Sequence, residues 1–278
     1  MNLKGRTAVV TGASSGIGAA TAKEMARRGA HVVLLARSAS GLDEVRRAIV
    51  AGGGEATALS VDLTDCDAVA RVARELKRAV GVPDVLVNNA GAGRWRFIEE
   101  TEPDEAVAIM AMPYFAAFYL TRALLPDMLA RGRGHLVNVT SPAAKIGWPG
   151  ATAYAASRWA MRGFNEALRA DLFGTEIRVT LFLCGKVASP YFANNPGSEE
   201  RIPALARWVR TLTPDEAARA LVDGVEKNRR EVITPPSLRL LDVAHRFFPR
   251  FVEWLTWRGG WTRASRGALR GGKSTTDG

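Results

Sequence analysis

The stretch TGASSGIG (residues 11–18) follows a short apolar, β-branched run, TAVVT (7–11), and precedes a segment with helical periodicity. A strand, a glycine turn and a helix in this order let backbone N–H groups and the positive helix end approach a pyrophosphate. The glycines do not have the G-x-G-x-x-G spacing, so the prediction depends on the position between strand and helix. We therefore predict a phosphate-binding turn made by Gly12, Ser14, Ser15, Gly16, Ile17 and Gly18.

The same alternation of strand and helix continues along the chain. Several of the strand-like runs are apolar throughout, which is typical of a parallel sheet covered by helices on both faces. This pattern predicts an α/β fold: a Rossmann-type, doubly wound, parallel seven-stranded sheet, with residues 1–235 forming the dinucleotide-binding domain. The seven predicted strands are TAVVT (7–11), HVVLLA (31–36), ATALSV (56–61), DVLVN (84–88), HLVNVT (135–140), IRVTLFL (177–183) and EVIT (231–234).

The end of the second predicted strand favours NADP over NAD. An NAD site usually carries an acidic residue there, which accepts hydrogen bonds from the ribose hydroxyls. This chain has Ala36 at that point, followed by Arg37 and Ser38. A guanidinium matches the geometry of a 2′-phosphate, and a serine hydroxyl adds a neutral donor. A surface arginine after a strand is the other interpretation.

Further motifs resemble those of the short-chain dehydrogenase/reductase family over about residues 4–235. These are DL (62–63), NNAG (88–91), NVTS (138–141) and YAASR (154–158), with Ser141 and Tyr154 at the family's interval. The resemblance implies hydride transfer between a nicotinamide and a carbonyl or alcohol carbon. Tyr154 would be the acid/base, Ser141 would hydrogen-bond the reacting oxygen, and residue 158 would bind the nicotinamide ribose. The other implied cofactor contacts are Asp62, Leu63, Asn89, Ala90 and Gly91 at the adenosine and ribose, and Val187 and Ser189 near the nicotinamide amide.

The chain departs from the family pattern at three positions: Arg158 makes YxxxR of YxxxK, Pro113 replaces a helix asparagine, and Cys184 replaces a proline. A positive charge roughly 4 Å from the phenol is worth around 4 kcal/mol at an effective dielectric of about 20. Arginine supplies that charge but, with a pKa above about 12, cannot pass on a proton. Two interpretations remain open: an oxidoreductase that uses Tyr154, and a weak or inactive NADP-binding protein with a binding or regulatory role.

Large apolar residues surround the predicted reaction site. Trp95, Phe97 and Trp148 follow the site motifs, and residues 190–212 correspond to the family's variable lid. The lid contributes Tyr191, Phe192, Ile202, Leu205 and Trp208. Such walls suit a bulky hydrophobic carbonyl or alcohol substrate, although packing of the lid on the core is the alternative. The helices around 106–129 and 157–172 resemble those that pair subunits in the family, so we expect a homodimer or homotetramer.

Residues 236–278 form a basic, aromatic-rich extension of a chain whose net charge is +10. Apolar residues at helical spacing with interleaved arginines predict peripheral membrane contact through 236–262; packing against a neighbouring subunit is the alternative. No motif indicates specific nucleic-acid binding, and two separated cysteines with three scattered histidines indicate no metal site. The strand-like run RTAVVT, almost at once after Met1, leaves no room for a signal peptide, and the apolar run 106–120 is short for a bilayer. We expect a cytoplasmic protein with 106–120 as a buried helix.

Overall fold

The computed structural model describes residues 1–263, and its centre is a seven-stranded, fully parallel sheet. The strand order is β3-β2-β1-β4-β5-β6-β7. The order reverses between β1 and β4, which is where an open parallel sheet leaves a crevice for a ligand. The strands are β1 Thr7–Thr11, β2 His31–Ala36, β3 Glu55–Ser60, β4 Val85–Asn88, β5 Gly134–Thr140, β6 Ile177–Cys184 and β7 Glu231–Thr234.

Helices cover both faces of this sheet, so the predicted doubly wound fold is confirmed. One buried cluster joins α1, α2 and α7 to the sheet, and a second joins α3, α5 and α6 to the other face. In the described chain the helices are α1 Gly16–Arg27, α2 Ala39–Ala51, α3 Cys66–Val80, α4 Pro103–Met110, α5 Ala116–Arg131, α6 Thr152–Asp171, α7 Pro214–Glu226, α8 Pro236–Phe247 and α9 Pro249–Arg258.

The apolar segment around Pro113 is not the fully buried helix that its composition predicts. Met112 has non-helical dihedrals (φ −124°, ψ 98°), and a π-helical turn, Ala111–Phe115, separates α4 from α5. The whole stretch Pro103–Arg131 is long and apolar enough to cross a bilayer by length and composition alone. Its inner residues pack on the sheet, but Val107 and Phe118 remain 66% and 39% exposed. The segment is therefore a core-packing helix that keeps an exposed apolar face.

The C-terminal extension forms two helices, α8 and α9, which meet at Phe248 and Pro249 rather than continuing as one helix. A buried ion pair holds α8: the Lys145 ammonium lies 2.7 Å from Asp242 and 2.8 Å from Glu231. The backbone N–H of Ala204 donates to the carbonyl of Gly259 just after α9. The extension thus packs on the sheet domain up to residue 263; residues 264–278 lie outside the described residues.

Candidate active site

In the glycine turn between β1 and α1, the backbone at the start of the helix lies very close to the backbone at the end of the strand. Gly12 and Gly16 have φ values of 63° and 55°, in the left-handed region that glycine adopts most readily. A side chain at Gly18 would clash, because its Cβ would lie 2.2 Å from the carbonyl oxygen of Gly12. Gly18 therefore lets α1 start directly against the turn, and the helix N-terminus faces the space above it.

The end of β4 supports this turn through hydrogen bonds. The side-chain amide of Asn89 donates to the Thr11 carbonyl at 2.8 Å. The Thr11 hydroxyl donates to the Val87 carbonyl and accepts from the backbone N–H groups of Asn89 and Ala90, the latter two at 2.9 Å. The NNAG motif thus holds the strand that carries the glycine turn.

A cleft of about 1180 Å³ runs along the carboxyl ends of the strands, and most of the predicted site residues line it. Gly18 and Asp62 are not among the lining residues. The Asp62 carboxylate accepts from the backbone N–H and the hydroxyl of Thr64, which lowers its pKa. The predicted residues that line the cleft are Gly12, Ser14, Ser15, Gly16, Ile17, Arg37, Ser38, Leu63, Asn89, Ala90, Gly91, Ser141, Tyr154, Arg158, Val187 and Ser189.

Arg37 and Ser38 lie at the end of the cleft beside β2. Arg37 is exposed, while the Ser38 hydroxyl accepts from the N–H of Gly41 at 3.2 Å and caps α2. The Ser60 hydroxyl donates to the Arg37 carbonyl at 2.9 Å and fixes the backbone there. The backbone of Arg37 is therefore fixed by a hydrogen bond, and its side chain is exposed at the cleft.

Tyr154 and Arg158 are one turn apart on α6, which begins at Thr152, five residues before the predicted helix around 157–172. Both are buried, with 5% and 6% exposure. The guanidinium carbon lies over the phenol ring, 4.6 Å from its centroid, and Nη2 donates to the Ala92 carbonyl at 3.3 Å. The positive charge is therefore beside the tyrosine, as expected, but it faces the ring.

Ser141 follows β5 and lines the same cleft, and its hydroxyl accepts from the N–H of Ala143 at 3.2 Å. Sequence reasoning missed the buried amide chain that holds this region. The amide of Asn88 donates to Asn138 at 2.9 Å, and the amide of Asn138 donates to Asn165 at 3.1 Å. These bonds fix α6 to β4 and β5, and so fix Tyr154 relative to Ser141. Asparagines inside apolar strands are the signal that could have revealed them, because buried amides need partners.

Tyr191 is a second tyrosine beside Tyr154, with ring centroids 6.4 Å apart. Its hydroxyl donates to the Gly93 carbonyl at 2.9 Å and accepts from the indole N–H of Trp95 at 3.3 Å. Burial first, and then the negative form of Tyr154, raise the pKa of Tyr191 well above its usual value. The sequence predicts Tyr191 only as a lid residue; in the structure it joins the lid to the loop after β4.

An aromatic cluster surrounds Tyr154 and forms one wall of the cleft. Trp95 lies 5.1 Å from both Tyr154 and Trp148, measured between ring centroids. Two predicted wall residues lie elsewhere: Phe97 packs under the guanidinium of Arg201, and Trp208 is 84% exposed. Further apolar lining comes from the lid and from the extension, namely Tyr191, Phe192, Ile202, Leu205, Leu238 and Leu241.

Comparison with known proteins agrees with this geometry, since the family model for short chain dehydrogenase matches residues 6–200. The chain belongs to the short-chain dehydrogenase/reductase family of oxidoreductases. It is 34% identical to a fatty acyl-CoA reductase of Acinetobacter baylyi over 84% of this chain and 77% of that protein. A metagenomic short-chain oxidoreductase solved with NADP is 36% identical, with a TM-score of 0.71 over 84% of this chain and 98% of that one. A Burkholderia phymatum family member solved with NAD shares the fold, at 24% identity and a TM-score of 0.79 over 89% and 96% of the two chains.

Proposed function

We propose that the protein is an oxidoreductase that transfers a hydride between NADP(H) and the carbonyl or alcohol of a bulky hydrophobic substrate. The observation that carries this proposal is the convergence on one cleft of the glycine turn, Ser141, Tyr154 and Arg158. A folded binding module has no need for a buried tyrosine and a half-buried serine beside a phosphate-binding turn.

Two features of the cleft fit a nicotinamide dinucleotide. The left-handed glycines of the turn expose backbone N–H groups where a pyrophosphate would bind. The guanidinium of Arg158 packs against Gly91, and its buried Nε has no hydrogen-bond partner among residues 1–263. A buried donor of this kind is costly unless an acceptor satisfies it, and the ribose hydroxyls of the cofactor are acceptors.

When bound, the cofactor supplies or accepts the hydride, and the chain's own residues handle the proton. Tyr154 would donate a proton to the substrate oxygen in reduction and remove it in oxidation. Ser141 would hold that oxygen by donating its O–H, which it can do while still accepting from the N–H of Ala143. Arg158 would stabilise the ionised phenol through its charge, but it cannot carry the proton onward.

The proposal is tested by following NADPH absorbance with a panel of long-chain aldehydes, steroid ketones and retinal. We expect turnover in the native protein, and a loss of at least about 100-fold in Tyr154→Phe, since general acid catalysis is worth that much. Tyr114→Phe is the matched control, because Tyr114 does not line the cleft. Equal activity of Tyr154→Phe and the native protein would exclude Tyr154 as the acid/base.

The preference for NADP rests on Arg37. A guanidinium attracts a 2′-phosphate, and residue 36 has no carboxylate that would repel it. In Arg37→Glu we expect the Kd for NADPH to rise about 10- to 100-fold, with a much smaller change for NADH. Arg47→Glu, an exposed arginine on α2, is the control. Tighter binding of NADH than of NADPH by the native protein would refute the preference.

A long acyl carbonyl compound is the substrate class that we favour. The apolar lining from three separate parts of the chain supports a long hydrophobic substrate. The relationship to the Acinetobacter baylyi fatty acyl-CoA reductase supports an acyl group. We expect kcat/KM to rise with chain length in an aldehyde series, and a flat series would contradict this choice.

One observation favours the second candidate, an NADP-binding protein with little turnover: Arg158 lies over the ring of Tyr154 and cannot relay a proton. Calorimetry with NADPH, combined with the activity panel, separates the two. Cofactor binding without turnover on any substrate, followed by turnover in Arg158→Lys, would favour the second candidate.

We also propose a homodimer or homotetramer formed through the exposed apolar surface of α4, α5 and α6. Phe115, Phe118 and Trp159 on this surface are 37%, 39% and 48% exposed, which indicates a partner. Light scattering at several concentrations tests this, and we expect Phe118→Asp to lower the mass. A native protein that is monomeric at every concentration would exclude it.

A further inference from the structure

The two helices of the extension present different faces to the protein and to its surroundings. On the inner side, Leu238, Val252 and Thr256 are buried, and Leu238, Leu241 and Thr256 line the cleft. The Trp257 indole N–H also donates to the Gly147 carbonyl at 3.1 Å, on the loop between Ser141 and Tyr154. The extension is therefore part of the cleft wall.

The opposite side, here called the outer face, is exposed and rich in large apolar side chains. Phe251 and Trp254 stack with ring centroids 6.1 Å apart, and the Arg258 guanidinium lies 5.5 Å from the Trp254 ring. These three form one continuous aromatic and cationic patch. The apolar members of the outer face are Leu240, Val243, Phe247, Phe248, Phe251 and Trp254, which are between 41% and 74% exposed.

The charge on the outer face is positive. Its exposed arginines are Arg239, Arg250 and Arg258, while the exposed Arg246 pairs with Asp242 at 3.0 Å and with Glu231 at 3.4 Å. The two helices carry two carboxylates: Asp242 is buried against Lys145, and the Glu253 side chain is 35% exposed and lies 3.5 Å from His245. Helices that bind the surface of anionic bilayers typically have such an apolar, aromatic face bordered by arginines.

We propose that the outer face of α8 and α9 binds the surface of an anionic lipid bilayer. A second copy of the chain fits this face less well, because a two-fold interface would bring the arginines of the two copies together. A bilayer surface offers negative headgroups for the arginines and an interfacial layer for the indole and phenyl rings. The inner side of the same helices lines the cleft, so on the proposed function the bound bilayer is also the source of a hydrophobic substrate.

Cosedimentation of the full chain with vesicles tests this surface. We expect binding to vesicles of phosphatidylcholine with phosphatidylserine, weaker binding to phosphatidylcholine alone, and weakening with added salt. Because each surface arginine contributes about a fivefold increase in partitioning, Arg250→Gln/Arg258→Gln should lower binding roughly 25-fold. Phe251→Ser/Trp254→Ser should lower binding about tenfold or more, on phosphatidylcholine as well.

Matched controls lie outside the extension. Phe173 is 90% exposed, and Arg74 and Arg78 are exposed on α3; Phe173→Ser and Arg74→Gln/Arg78→Gln should bind like the native protein. If these controls lose as much binding as the extension variants, or if the native chain does not bind anionic vesicles at low salt, the proposal is wrong. A concentration-dependent dimer that Phe251→Ser/Trp254→Ser abolishes, without vesicle binding, would assign the face to a second copy instead. No turnover is measured, so failure here is distinguishable from failure of the oxidoreductase proposal.

Discussion

Replacing Asp242 by Asn removes one charge from the buried ion pair that holds α8 to the sheet domain. The side chains of Lys145 and Asp242 are only 9% and 7% exposed, and their charged atoms are 2.7 Å apart. At an effective dielectric of about 20, that separation corresponds to roughly 6 kcal/mol of attraction, which desolvation largely offsets. The net effect of the substitution therefore depends on which partner Lys145 retains.

Asp242 also pairs with Arg246 at 3.0 Å, but the Arg246 side chain is 60% exposed and is solvated by water once that partner is lost, so this pair adds little. The second carboxylate beside Lys145, Glu231, therefore sets the expected size of the loss. Removing one partner of a buried pair typically costs about 3–5 kcal/mol, because the other charge is left unpaired. Here Glu231 stays 2.8 Å from the Lys145 ammonium, so we expect a smaller loss for Asp242→Asn, about 2 kcal/mol. For a chain of this length the same loss lowers Tm by about 3–4 °C.

Urea unfolding followed by the fluorescence of the seven tryptophans measures this loss. Asp43→Asn is the control, because Asp43 pairs with Arg46 and Arg47 on the exposed side of α2. Lys145→Met and the double variant complete a cycle, in which the two single losses should exceed the loss in the double variant. Strictly additive losses, or a stability of Asp242→Asn equal to that of Asp43→Asn, would refute the reasoning.

Three further outcomes follow from buried groups. Burial lowers the pKa of His135 to about 4, so the unfolded chain takes up a proton before the folded one does. Stability should therefore fall by up to about 3 kcal/mol between pH 6.5 and 4, and a His135→Asn variant with the same slope in urea titrations would contradict this. Gly18→Ala should raise the Kd for NADPH at least about tenfold, since its Cβ meets the Gly12 carbonyl; Gly163→Ala, which has open space, should bind normally. Burial raises the pKa of Cys184 to about 12, whereas Cys66 is exposed, so iodoacetamide should add one label to the native protein and two after unfolding, and two labels on the native protein would be the contrary result.

The sheet was predictable because each strand and each motif depends on local spacing. The seven predicted runs became β1–β7 with ends shifted by at most one residue, and the interval from Tyr154 to Arg158 placed both on one side of α6. Spacing along the helix fixes the positions of the Cβ atoms. It does not determine the rotamer of an arginine, which has four rotatable side-chain bonds. The sequence therefore could not predict that the Arg158 guanidinium lies over the Tyr154 ring, 4.6 Å from its centroid.

Contacts between distant segments explain the remaining differences. Phe97 and Trp95 are two residues apart, yet only Trp95 lines the cleft, because Arg201 covers Phe97. The extension has helical spacing in the sequence, but its inner and outer sides are decided by Lys145, which lies 97 residues before Asp242. Local periodicity predicts neither the burial of Phe97 nor the inner side of the extension. Both depend on residues distant in sequence, Arg201 and Lys145, that the fold brings into contact.

The pairing of Lys145 with Asp242 also bears on how the chain is made. At synthesis rates of about 5–20 residues per second, Lys145 is added to the chain roughly 5–20 s before Asp242. Over that interval its ammonium stays in water, and the loop after Ser141 lacks the helix that later covers it. The glycine turn and β1–β3 are synthesised well before this point. During translation, the nucleotide half can thus assemble first, and the substrate half is completed last.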